Sequence, residues 1–158
     1  MADSKLDTIK QLATEFLQKL SVNAPVTVVE DVENTFKVQI ETEEGGLLIG
    51  YHGETLNSLQ LLLGSMVYKQ LGEWMHIVVH VGDYREKREE SIKALALRVA
   101  QEVVETKLPV PMPYLSSFER RIVHLTLADH PDVVSESEGE GRDRRVVVKP
   151  KVDNNISH

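Results

Sequence analysis

The chain has no cysteine among its 158 residues, which excludes disulfides and thiolate metal sites and fits a reducing cytoplasm. It also lacks any apolar run near the roughly 20 residues needed to cross a bilayer, so no membrane span is expected. Its opening stretch, MADSKLDTIK, has no apolar core of the kind a secretion signal needs. There is no Ser or Cys nucleophile motif and no Gly-x-x-x-x-Gly-Lys phosphate loop, so neither catalysis nor a cofactor is expected.

Arginine is missing from the whole first half. Residues 1–82 hold five lysines against eleven acids, a net of −6, whereas residues 83–158 hold thirteen basic and fourteen acidic residues, a net of −1. The formal charge of −7 argues against binding nucleic acid through bulk positive charge. At 158 residues with an ordinary 41% hydrophobic content the chain can bury one sizeable core or two small ones, and the step in composition near residue 82 suggests two domains.

The chain contains clear periodic segments. Leu6, Ile9, Leu12, Phe16 and Leu20 recur every three or four residues, as on an amphipathic helix over 5–20. PVTVVEDVENTFKVQIET has β-branched runs broken by EDVEN and reads as a hairpin. Leu56, Leu59, Leu63, Met66 and Val67 mark a second helix over 54–71. In WMHIVVHV, residues 74–81, Met75, Ile77, Val79 and Val81 alternate with Trp74, His76, Val78 and His80, the pattern of a half-buried strand.

Beyond that point Asp83 and Glu86 read as a capping box opening a helix to about Lys107. LPVPMP cannot be helix interior and serves as an extended connector. Ser116 and Glu119 form a second capping box, opening a helix to about Asp129 with Phe118, Ile122 and Leu125 as its buried stripe. DVVSESE, GEGRD and RRVVVKP read as strand, turn and strand, and the tail 151–158 lacks packing residues and is expected to fray.

Two groups of residues could carry function. Gly50, Tyr51, His52 and Gly53 form Gly-x-x-Gly immediately before a helix, where glycine permits close approach and the helix amides favour an anion. On four residues alone, this is either a plain turn or a platform for a sugar-phosphate strand. In the second half, Arg120 and His124 lie four apart on one helix face with Arg121 beside them, facing outward. Arginine suits phosphate and histidine can stack or donate; a solvated helix face is the plainer alternative.

Context favours the functional reading of both. Ile-Gly-x-x-Gly-x-x-Leu within helix–strand–strand–turn–helix–strand resembles a bacterial, type II KH domain. GYHG, YREKREE, ERRIVH and SEGEGRDRRVVV together resemble the bacterial Jag family of SpoIIIJ-associated proteins, also described as KhpB or EloR, over about residues 25–150. In that family a KH domain precedes a domain named for its Arg-x3-His (R-three-H) signature.

The resemblance implies an α+β fold: a type II KH domain (helix–strand–strand–helix–helix–strand) over 1–82, then a small α+β Arg-x3-His domain with antiparallel strands over 83–150. It also implies a cytoplasmic, non-enzymatic binder of single-stranded RNA, with single-stranded DNA left open, linked to cell elongation, division or sporulation genes. The implied protein partner is a small single-KH protein or a second copy. The RNA-binding residues it carries over are Gly50, Tyr51, His52 and Gly53 in the KH loop, and Arg120, Arg121 and His124 in the second domain. Arg142, Arg144 and Arg145 on the basic hairpin are further phosphate candidates.

Two departures stand out. Family members often carry an N-terminal Jag domain, and this chain is expected to lack it because it begins almost at the KH helix. Their variable loop positions commonly hold Lys or Arg, where here Tyr51, His52 and then Glu54 stand. A loop with so little positive charge keeps an alternative open: a protein-interaction scaffold with a weakened KH loop.

Two metal-like patterns lack the geometry of an ion site. On a strand, His76 and His80 are roughly 13 Å apart and cannot share one ion; they are expected to line the exposed sheet face with Trp74. SESEGEGRD lacks the register of a calcium loop and reads as a charged hairpin tip.

Overall fold

Parallel strands cannot be joined by a tight turn, and this requirement organises the first half of the protein. The computed structural model describes Ala2–Val152, apart from the side chain of Ala2. Helix α1 (Ala2–Lys19) leads into an antiparallel hairpin of β1 (Val26–Val32) and β2 (Thr35–Ile40). The short helix α2 (Gly45–Ile49), a 3-10 turn at Tyr51–Gly53 and helix α3 (Glu54–Leu71) then form the crossover that brings β3 (His76–Val81) parallel to β2. The sheet order is β1-β2-β3, and the element order is the helix–strand–strand–helix–helix–strand that the resemblance implies.

Sequence periodicity explains the packing. Ile9, Ala13 and Leu17 on α1, and Leu56, Leu59, Leu63 and Val67 on α3, are buried with Phe36, Val38, Ile40, Ile77, Val79 and Val81 from the sheet. Each large aliphatic side chain so buried stabilises by about 1.5–3 kcal/mol. The hairpin turn is tighter than EDVEN suggests. The strands continue to Val32 and from Thr35, and only Glu33 and Asn34 turn, because Asn34 accepts a left-handed backbone at φ 62°.

Strand β3 lies at the edge of this sheet, yet its outward-facing backbone is occupied at Val79. The Val79 N–H donates to Gln60 Oε1 at 3.0 Å, and its carbonyl accepts from Arg85 Nε at 2.8 Å. Arg85 Nη2 closes the arrangement by donating to the same Gln60 oxygen at 2.8 Å. Trp74 does not join His76 and His80 on the strand: it precedes β3 and stacks on Tyr68 of α3 at 4.4 Å.

Contacts divide the chain into a first unit ending at Arg85 and a second beginning at Glu86, within the first turn of α4 (Tyr84–Thr106). In the second unit α4 buries Ile92, Ala96, Val99, Ala100 and Val103. LPVPMP contributes a two-residue strand, β4 (Val110–Pro111), and α5 (Ser117–Leu127) follows. β5 (Val133–Glu138) and β6 (Arg145–Pro150) complete an antiparallel sheet in the order β4-β6-β5. Of the tail expected to fray, residues 153–158 lie outside the described part.

Helix α5 corrects the expected stripe. Glu119, Ile122, Val123 and Leu127 are buried, while Phe118 and Leu125 are each 67% exposed. The inward turn of Glu119 has a local and a distant cause. Its carboxylate completes the capping box, accepting from the Ser116 N–H at 3.0 Å, and it pairs with Arg88 Nε at 2.7 Å. A carboxylate tolerates burial when paired and hydrogen-bonded in this way.

Candidate nucleic-acid interface

Three of the four residues of the Gly-x-x-Gly turn, Gly50, His52 and Gly53, have positive φ. Gly50 ends α2 at φ 69° and ψ −168°, and Gly53 stands before α3 at φ 84° and ψ 10°. A β-carbon at Gly50 would overlap the Thr55 side chain, and one at Gly53 would lie 3.2 Å from the Tyr84 ring. Gly50 is therefore required by a neighbouring side chain as well as by positive φ, and Gly53 is favoured by positive φ and has a tight contact beside it.

Between them Tyr51 and His52 stack at 4.0 Å with planes 14° apart. His52 is left-handed at φ 51°, and Tyr51 is 71% exposed. The turn thus presents an aromatic pair rather than positive charge. Because glycine has no side chain to cap a helix, the first turn of α3 has no side-chain cap; the Glu54 N–H is given to the Tyr51 carbonyl, and the amides that follow begin next to the stacked rings in sequence. Such an end attracts an anion, and the rings offer a flat surface to a base.

The sequence-derived trio on α5 does not all face outward. Arg121 is exposed; Arg120 and His124 are half-buried. Both ring nitrogens of His124 are engaged, Nδ1 with Ser135 Oγ at 2.7 Å and Nε2 with Ser137 Oγ at 2.9 Å. Serine can donate to one nitrogen and accept from the other, so a neutral ring satisfies both bonds and fastens α5 to β5. Arg120 donates to the Leu115 carbonyl at 2.8 Å and to Ser117 Oγ at 3.1 Å, holding the start of the helix.

The hairpin arginines gather at the end of the β5–β6 ribbon. Arg144 Nη1 donates to the Gly139 carbonyl at 3.2 Å, and Arg145 Nη1 to the Arg142 carbonyl at 3.3 Å. Arg145 also lies 5.5 Å over the ring of Tyr114, while Arg142 is exposed. Nearby acids are partly neutralised: Lys149 binds Glu136 at 2.7 Å and also Glu138, and its ammonium is held well above the ordinary lysine range by those two carboxylates. Glu136 and Glu138 of the calcium-like stretch are thus occupied by a protein cation.

Sequence reasoning missed Tyr84 beneath the turn, the Arg88–Glu119 pair and the serines that hold His124. Only the last had a signal, the alternation of Ser135 and Ser137 on one face of a strand.

Comparison with known proteins agrees with this geometry. Residues 7–79 match the family described as KhpA/KhpB, KH domain, and residues 90–150 match the R-three-H domain, the one named for Arg-x3-His. The chain is 32% identical over 153 residues to the RNA-binding protein KhpB of Clostridium symbiosum, an alignment spanning 94% of this chain and 69% of that protein. It is 33% identical over 153 residues to the RNA-binding protein KhpB of Bacillus subtilis, spanning 93% of this chain and 73% of that one. Against the protein of the same name from Lactiplantibacillus plantarum it is 37% identical over 133 residues, 84% of this chain but 41% of that longer one.

Proposed function

This chain belongs to the KhpB family of proteins that join a KH domain to an Arg-x3-His domain, and on that footing we propose that it is a non-enzymatic binder of single-stranded RNA. The observation that carries the proposal is the turn Gly50–Gly53, in which an exposed, stacked Tyr51–His52 pair stands at a helix start without a side-chain cap. The strand's phosphates approach the amides, and a base lies on the rings.

In the second domain Arg121, Arg142, Arg144 and Arg145 supply guanidinium groups to the phosphates. Arg120 keeps further N–H donors beyond its two bonds within the protein, and His124 serves the site by fastening α5, which carries Arg120 and Arg121, to β5. We assign residues 1–82 to the KH domain and 83–150 to the Arg-x3-His domain. A cytoplasmic, post-transcriptional role in cell elongation, division or sporulation is the finer form of the proposal, and rests on the family alone.

A second reading, as a protein-interaction scaffold, has its own observation. On α3, Leu61 is 71% and Leu62 52% exposed, and Tyr68, about two turns further along the same helix, stacks on Trp74. A face of this kind suits a second KH-bearing chain, either a small single-KH protein or another copy.

Affinity for a short single-stranded RNA, followed against salt, tests the main reading. The logarithm of the binding constant falls linearly with the logarithm of salt, at about 0.7 per phosphate contacted. The double variant Tyr51→Asp/His52→Asp, which adds two anions at exposed positions, weakens binding about tenfold or more. Equal affinity of parent and folded variant, with light scattering showing self-association lost in Leu61→Asp, favours the scaffold.

A further inference from the structure

The second unit has an aliphatic core and places its aromatics elsewhere. Among the described residues that core is built of Ile, Leu, Val, Ala and Met. The only Phe, Tyr or Trp side chains after residue 84 are Tyr114 and Phe118, and both are exposed, by 42% and 67%. They stand on either side of Ser116, the residue that caps α5.

Their surroundings are basic. Arg145 covers one side of the Tyr114 ring, and the exposed Arg121 lies three residues along the helix from Phe118, on the same face. Two acids of this unit already have cations: Glu119 holds Arg88, and Glu138 holds Lys149. Both ring nitrogens of His124 are spent on serines, so recognition of bases in this unit falls to other side chains.

We propose that Tyr114 and Phe118 form a stacking site for unpaired nucleobases, with Arg121 and Arg145 placed to take the adjoining phosphates. The proposal rests on the RNA-binding reading above and extends it to residues that the Arg-x3-His signature does not include. Interleaved aromatic and arginine side chains are what a sequence-tolerant single-strand site requires, because every base has a π-face and every nucleotide a charge.

The test compares two probes with the full chain: an oligouridylate, and an abasic ribose-phosphate strand of the same length. Tyr114→Ala and Phe118→Ala each weaken oligouridylate binding about tenfold, leave the abasic strand unaffected and leave the salt slope unchanged. Tyr114→Phe and Phe118→Tyr retain parental affinity. Arg121→Ala weakens both probes and lowers the slope by about 0.7.

If both alanine variants bind oligouridylate as tightly as the parent while Tyr51→Asp/His52→Asp still weakens it, the stacking site is wrong and the RNA reading stands. If the parent binds neither probe, both fall. Loss of self-association in Phe118→Ala at unchanged RNA affinity identifies a protein contact and also overturns the site.

Discussion

The ring of Tyr84 crowds the position a side chain at Gly53 would take: a β-carbon there lies 3.2 Å from both the ring Cε1 and the hydroxyl oxygen. The glycine therefore answers to the protein's own packing before any ligand arrives. Gly53→Ala is expected to cost about 1–3 kcal/mol through strain at φ 84° and displacement of that ring. Chemical denaturation measures this. An unchanged midpoint would mean that the turn relaxes freely, and that the fold itself does not need a glycine at position 53.

Removing Arg88 should leave the Glu119 carboxylate buried without its cation. Arg88→Met is expected to destabilise the second unit by about 3 kcal/mol. Adding Glu119→Gln keeps the capping box and removes the stranded charge, so the double variant should recover more than half of the loss. Simple additivity of the two changes in urea unfolding contradicts this account of the pair.

The ring of His124 predicts a non-additive cycle as well. His124→Ala, or Ser135→Ala with Ser137→Ala, should each cost about 1–3 kcal/mol, since each removes the same two hydrogen bonds. Combining all three substitutions should cost little more than His124→Ala alone. Costs that add in thermal unfolding would show that the serines do not act through the histidine.

At the edge of the first sheet, hydrogen exchange reads the Gln60–Val79 contact directly. Gln60→Leu removes the acceptor of the Val79 N–H, so that amide should exchange faster while Phe36 and Val38 on the neighbouring strand keep their protection. Unaltered exchange at Val79 would show that the contact does not guard the edge.

Elements with one clear period were legible in the sequence. Helix α3 spans Glu54–Leu71 as its apolar spacing indicates, and the alternation of 75–81 gives β3 with Ile77, Val79 and Val81 inward. The capping box of Ser116 and Glu119 is local, and it is present. Helix α5 itself was harder, because two apolar stripes compete along it. Phe118, Ile122 and Leu125 looked like the buried one, but the helix turns instead on Ile122, Val123 and Leu127. Glu119 can accompany them because Arg88, 31 positions earlier, neutralises it.

The same limit applies to the candidate sites. Gly-x-x-Gly and Arg-x3-His are short motifs and can be read directly. What each polar atom does is not visible, because Ser135, Ser137, Tyr84 and Leu115 act through space on residues separated from them in sequence. Spacing places His124 on a helix face but does not say that the face meets a strand.

The central claim is that single-stranded RNA rests on the Gly50–Gly53 turn, and amide chemical shifts recorded while the RNA is added test it most directly. The account predicts that the resonances of Gly50, Tyr51, His52, Gly53 and Glu54 move or broaden as the RNA saturates the protein, with the Tyr51 ring protons shifted by the base above them. Saturating RNA that leaves these five amides in place, while shifting others, would contradict it.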